Sequence, residues 1–77
     1  MNIYLISQTE NDRYDTFDSA IVAAETEQDA KEITPDGGPW RAWAAWCSSP
    51  ELVTVQLIGT AKEGTAAGVI MASYNAG

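Results

Sequence analysis

In DSAIVAAETEQDAKEI, residues 18–33, a short apolar run passes directly into the start of a predicted helix, and the other predicted elements can be placed around this pair. Residues 19–24 are small, β-branched or apolar, and a run of this length is compatible with a buried strand or a buried helix. Thr26 favours the strand, because its hydroxyl can cap a helix that starts at the next residue. Asp29 follows three residues later and completes a variant of the capping box. We therefore expect a strand followed by a capped helix.

The predicted helix is short and must dock on a sheet. Glu27 and Asp29 lie in its first turn, where the positive end of the helix dipole favours carboxylates. The Thr34-Pro35 pair ends the helix, because the residue before a proline is pushed out of the α region. About two turns remain, too few to be stable alone. We expect Ala30 and Ile33 to form the face that contacts the sheet.

Three further segments have strand patterns, at residues 2–7, 51–61 and 68–74. Residues 2–7 are apolar on both faces, which favours a central place in the sheet, with residues 19–24 returning antiparallel to them. These elements predict an α+β fold: a four-stranded, mostly antiparallel sheet with one short helix packed on one face, in the order β-β-α-β-β. The tryptophan-rich residues 39–47 add a loop or a short helix.

The last two strands carry predictions about which side chains are buried. Val53, Val55 and Leu57 alternate with polar residues, so one face of that strand should be buried and the other solvated. In the final strand, Val69 and Met71 should point to the same face, because successive strand residues alternate.

Length and cysteine content limit the possible classes of protein. The 77 residues form one predicted domain, residues 1–77, near the lower size limit for a self-supporting core. A homodimer is one way to supplement so small a core. Cys47 is the only cysteine, which fits a reducing compartment, and we expect it to be a small core residue. No signal peptide or membrane span is apparent, so we expect a cytoplasmic protein that does not contact a membrane.

The net charge of −7 is concentrated in the first half of the chain. Residues 1–36 contain nine acidic residues against Arg13 and Lys31, which already gives −7. Such a surface repels phosphate backbones, so we expect no direct nucleic-acid binding. It attracts a basic protein groove instead. Solubility alone is the alternative explanation for the charge.

No motif points to catalysis, a metal or a cofactor. The chain has no histidine, which removes most nucleophile–base pairs and the common zinc sites. Asp12, Asp15 and Asp18 lack the alternating ligands and the glycine of a calcium loop. Neither pair of glycines matches a phosphate-binding fingerprint. We therefore predict a protein that is not an enzyme and binds no cofactor.

Three tryptophans fall within residues 39–47, PWRAWAAWC. On a helix, Trp40, Trp43 and Trp46 form one stripe, whereas a loop could place Trp46 in the core. They could fill the core, or Trp40 and Trp43 with Arg41 could anchor a protein partner, since tryptophan and arginine dominate binding hot spots. A flat indole could also stack on a small ligand.

Most of the chain outside the tryptophan segment resembles short proteins encoded by phages, prophages and bacterial mobile elements. The resemblance lies in YDTFDSAIVAAE (residues 14–25), PDGG (residues 35–38), WCSSPELVTVQLIGTA (residues 46–61) and GVIMASYNAG (residues 68–77). It implies a counter-defence role, including that of anti-CRISPR proteins, exerted by occupying a surface of a host complex. It implies no catalytic or ligand-binding residues.

The predicted function is that of a non-enzymatic inhibitor that blocks a host defence complex through an acidic face and an aromatic anchor. The alternatives are a small-ligand protein that binds a nucleotide signal, and a structural accessory protein that forms a homo-oligomer through its tryptophans. The predicted partner-binding residues are Asp12, Asp15, Asp18, Glu25, Glu27, Asp29, Glu32, Trp40, Arg41 and Trp43.

Overall fold

The computed structural model describes residues 1–38, 40 and 45–75. Its strands form one antiparallel sheet in the order β3-β1-β2-β4, which confirms the predicted four-stranded sheet with one short helix and the central position of β1. The elements are β1 (Asn2–Ser7), β2 (Thr16–Ala24), α1 (Glu27–Lys31), a 3-10 helix (Pro50–Leu52), β3 (Thr54–Thr60) and β4 (Gly68–Asn75).

The helix α1 starts as its sequence predicts. Thr26 is the N-cap, and its hydroxyl oxygen accepts a hydrogen bond from the Asp29 backbone N–H at 3.1 Å. The helix is shorter than the two turns expected, because Glu32 is already the C-cap. A separate turn follows soon after. In it Thr34 is buried, and its backbone carbonyl accepts a hydrogen bond from the Gly37 N–H at 2.9 Å. This turn, with Gly37 at φ +80°, is the one that the PDGG stretch predicts.

The core lies between the helix and one side of the sheet, which we call the core face. Ala30 is fully buried there, as predicted, and Ile33 is half-buried against it. Trp46 is only 3 % exposed, so the alternative in which it enters the core is correct. The buried cluster consists of Tyr4, Ile6, Ala20, Val22, Ala24, Ala30, Trp46, Cys47 and Val53.

The other side of the sheet, which we call the open face, follows from the strand register. Residues paired across neighbouring strands point to the same side, and successive residues alternate. The open face therefore carries three rows, each read from β3 to β4. The hydroxyl row is Thr54, Ser7, Ser19 and Ser73; the apolar row is Gln56, Leu5, Ile21 and Met71; the flat row is Gly59, Ile3, Ala23 and Gly68.

Two predictions about buried faces are wrong, one because β3 is an edge strand and the other because β4 contains a bulge. Leu57 is 57 % exposed, since β3 is an edge strand and its outer part is not covered. Val69 and Met71 lie on opposite faces, beside Val22 and Ile21 respectively. The register shifts between those two pairs and leaves Ile70 unmatched, so this bulge reverses the alternation. Strand β3 also begins at Thr54 rather than at residue 51, because Ser49 caps the preceding 3-10 helix.

Candidate protein-interaction surfaces

One group of predicted partner-binding residues lies at the end of the sheet where β1 connects to β2. Asp12 and Asp15 belong to this connection, and both are exposed. Asp18 is exposed as well, because the register shift between Phe17 and Ser19 leaves it as the unmatched residue of a bulge in β2. We call these three residues the loop-end cluster.

Asp15 differs from its neighbours because it holds the end of β4 in place. Its backbone has φ +63°, its N–H donates to the Asn75 carbonyl, and its carboxylate accepts from the Tyr74 hydroxyl at 3.3 Å. The Tyr74 ring packs edge-on against Phe17, with 4.9 Å between the ring centroids. Partial desolvation, and then the Asp15 carboxylate, raise the pKa of Tyr74. Asp15 therefore has a structural role apart from any contact with a partner.

The second group surrounds α1 at the opposite end of the sheet, and we call it the helix-end cluster. Its members are all exposed, and Lys31 is the basic residue in the last turn of the helix. The helix-end cluster consists of Glu25, Glu27, Asp29 and Glu32.

The structure separates these two clusters. Asp18 and Glu25 lie at opposite ends of β2, roughly 20 Å apart at the rise of an extended strand. Within the described residues, none of the seven carboxylates forms an ion pair with lysine or arginine. The single acidic face expected from the sequence is thus two acidic ends, divided by the length of the sheet.

The aromatic residues of the expected anchor are described only at Trp40. Trp40 is half-buried against the core, and its indole N–H donates to the Glu32 backbone carbonyl at 2.9 Å. This bond places Trp40 next to the helix-end cluster. Arg41 and Trp43 lie outside the described residues.

A set of polar contacts that the sequence did not predict attaches the loop end to the segment before β3. The Glu10 carboxylate accepts from the Ser48 backbone N–H at 2.7 Å and from the Ser48 hydroxyl at 2.9 Å. The Asn11 amide donates to the Trp46 carbonyl at 3.4 Å. The partners are separated by 38 and 35 residues, so no local pattern could have indicated them. Glu10 is thus an acid with a structural use.

The open face is uncharged. Asp18 is the only charged residue within the four strands, so every other lysine, arginine, aspartate and glutamate lies outside them. The face nevertheless exposes an apolar side chain, since Met71 is 66 % exposed. A hollow of about 140 Å³ lies beside Met71, and it is lined by Leu5, Ser19, Ala20, Ile21, Met71, Ala72 and Ser73.

Cys47 is buried on the core face, and its thiol lies 3.4 Å from the Ser49 carbonyl, to which it donates. Burial raises the pKa of this thiol above its ordinary value of 9.0. A raised pKa keeps the sulfur protonated near neutral pH, and the thiolate is the nucleophilic form. In the described part of the chain, no three acidic, cysteine or histidine residues are arranged to hold a metal ion.

The helices of the described residues include none with the length and apolar character needed to cross a membrane. Comparison of this chain with protein-family models, with curated proteins and with solved structures finds no match.

Proposed function

We propose that this protein is a non-enzymatic α+β inhibitor of the anti-CRISPR type, which acts in the host cytoplasm by binding and blocking a defence complex. The observation that carries the proposal is the set of seven exposed carboxylates without ion-pair partners in the described residues. Unpaired surface charges of one sign attract a surface of the opposite sign and accelerate association. A groove that normally holds nucleic acid is lined with lysine and arginine, and it fits this requirement.

The division of the charge into two clusters refines how such a groove would be occupied. The loop-end and helix-end clusters lie roughly 20 Å apart, so a basic side chain that contacts one cluster cannot also contact the other. Beyond one Debye length, about 8 Å at physiological ionic strength, the distant cluster is largely screened. We therefore expect one cluster to contact the groove, and charge reversal at the two ends to have unequal effects.

The helix-end cluster has the aromatic group beside it that a specific interface needs. Trp40 is held next to Glu32 by its indole hydrogen bond, and it keeps part of its ring accessible. Arg41 and Trp43 follow in the sequence and complete the proposed anchor. Buried aromatic anchors chiefly slow dissociation, whereas peripheral charges chiefly speed association. We assign the anchor to Trp40, Arg41 and Trp43, and long-range attraction to the carboxylates.

The alternative of a nucleotide-signal binding protein receives less support. The hollow on the open face is lined by apolar and hydroxyl side chains, with no lysine or arginine to hold a phosphate. Phosphate recognition relies on such cations or on backbone N–H groups at a helix start or glycine-rich loop. This hollow is better suited to an apolar side chain.

The proposed function is tested by capture of partners from a host lysate with the tagged protein, at low and at physiological salt. We compare the natural chain with Asp12→Lys for the loop end and Glu25→Lys for the helix end. Glu63→Lys is the matched control. Glu63 is exposed in the connection between β3 and β4, and its substitution by lysine changes the net charge by the same amount. Circular dichroism establishes that each variant is folded.

The expected result is a nucleoprotein defence complex whose recovery falls as salt rises. One of the two cluster variants should reduce recovery by about tenfold, as expected for a charge change close to the interface, while Glu63→Lys reduces it much less. Trp43→Ala should raise the dissociation rate of the captured complex. If all three lysine variants bind equally well, or if the chain captures no defence complex, the proposal fails.

A further inference from the structure

The open face is an exposed apolar surface on a strongly charged molecule. Its side chains include Met71, which is 66 % exposed, and no charged residue interrupts the hydroxyl, apolar and flat rows. Contiguous exposed apolar patches on small soluble proteins usually mark an interaction site. The carboxylates of the proposed function lie at the ends of the sheet, so this face is not used there.

We propose that the open face binds a second copy of this chain, forming a two-fold symmetric dimer centred on Met71 and the hollow beside it. Two copies with a net charge of −7 each repel one another wherever their carboxylates meet. Their mutual repulsion is smallest when they join through a surface without charge. The open face is such a surface, with Asp18 at its margin.

The shape of the face favours its own copy as the occupant. Met71 projects from the sheet, and the adjoining hollow of about 140 Å³ is open to receive a side chain. An apolar side chain that enters this hollow removes apolar surface from water on both copies, which favours association. In a two-fold interface the same patch serves on both subunits, so each Met71 enters the hollow of the other.

The hydroxyl row supports the same arrangement. Ser7, Ser19 and Ser73 lie side by side with Thr54 across the four strands. A hydroxyl group can donate one hydrogen bond and also accept, so an uncharged row of hydroxyls can be covered by the polar or apolar groups of a second copy. A row of carboxylates or ammonium groups could not do so.

The size of the face predicts a weak dimer. Four strands about 4.8 Å apart and about six residues long cover at most roughly 400 Å² of plane on each copy. Two such faces together cover at most roughly 800 Å², which is less than the area of stable specific interfaces and is expected only of a weak, transient association. The dimer should therefore form only at high protein concentration.

The experiment is sedimentation velocity across a series of protein concentrations, at low and at high salt. The mass should rise from the 8.3 kDa of one chain towards twice that value as concentration increases. High salt should strengthen the dimer, because screening reduces the repulsion between two negative copies. Salt should have the opposite effect on the complex with a basic groove, so failure of one proposal is distinguishable from failure of the other.

Met71→Glu should lower the dimer affinity by at least tenfold, because it buries two carboxylates against each other. Leu52→Glu is the matched control: Leu52 is about half exposed and lies outside the sheet, and this change should leave the affinity within about twofold of the natural chain. A mass that stays at one chain throughout overturns the proposal. Equal loss of the dimer in both variants overturns the assigned surface.

A second variant keeps the test informative if Met71→Glu does not fold. Met71→Cys places two thiols near the two-fold axis, so mild oxidation should link the copies by a disulfide, whereas Leu52→Cys should give much less linked dimer. The natural Cys47 is buried and should not react. Equal linkage of the two variants contradicts a dimer centred on Met71.

Discussion

The two faces of the sheet are built from alternate residues of the same strands, yet they have opposite surroundings. In β1, Ile6 on the core face is fully buried, whereas Leu5 on the open face stays partly exposed. The helix and Trp46 cover one side, and no helix of the described residues packs on the other. An apolar strand pattern therefore reflects which side chains avoid water in the working protein, including any that are covered by a second molecule.

Two isoleucines on opposite faces of the sheet should differ most in their contribution to stability. Ile6→Ala should lower the free energy of unfolding by about 2–5 kcal/mol, because it opens a cavity in packed surroundings. Ile21→Ala should cost about 1 kcal/mol or less in the monomer, since Ile21 keeps part of its surface in water. Urea unfolding at low protein concentration measures both changes.

Because so small a domain has a small free energy of unfolding, a milder pair of substitutions at the same two positions provides a second test of the contrast. Ile6→Val should cost about 0.5–1.5 kcal/mol, and Ile21→Val should change the free energy of unfolding by much less. If the two faces lose stability equally, the open face is covered in the monomer and the distinction between the faces is wrong.

The sequence predicts the features of the fold that depend on local patterns. The capping role of Thr26 is encoded within four residues, because the hydroxyl and the N–H that it accepts belong to neighbouring positions. The central place of β1 follows from its apolar residues on both faces. These signals require no knowledge of the rest of the chain.

The features that the sequence does not predict depend on distant partners. The bulge at Ile70 exists only relative to the register of β2, and it decides which face Met71 occupies. The contact between Glu10 and Ser48 joins residues far apart in the chain. The separation of the acidic residues into two ends follows from the length of β2, so a count of charges along the sequence could not reveal it.

A smaller loss of stability is expected when the N-cap of α1, the helix that covers the core face, is removed. Thr26→Ala removes the hydroxyl that accepts from the Asp29 N–H, and it should lower the free energy of unfolding by about 1 kcal/mol. Thr26→Ser keeps the hydroxyl and should restore most of this loss. Urea unfolding of the three chains measures both changes. A serine variant as unstable as the alanine variant would show that the threonine methyl group, not the cap, contributes the stability.

The smallest effect concerns pH and the exclusion of water from the core face. Burial, opposed by backbone hydrogen bonds and reinforced by the Glu10 carboxylate, raises the pKa of the Cys47 thiol in the folded protein above 9.0. The folded state therefore binds this proton more tightly than the unfolded chain does, and the associated stability is fully present below pH 9.0. It is lost as the pH rises from there through the pKa of the folded state.

When the pH is raised from neutral to above 9.0, we expect the melting temperature of the natural chain to fall further than that of Cys47→Ala. The alanine variant retains Tyr74, whose raised pKa has the same sign, so only the difference between the two chains reports on Cys47. Identical losses in the two chains would mean that water reaches this thiol, and that the core face is less well closed than its contacts indicate.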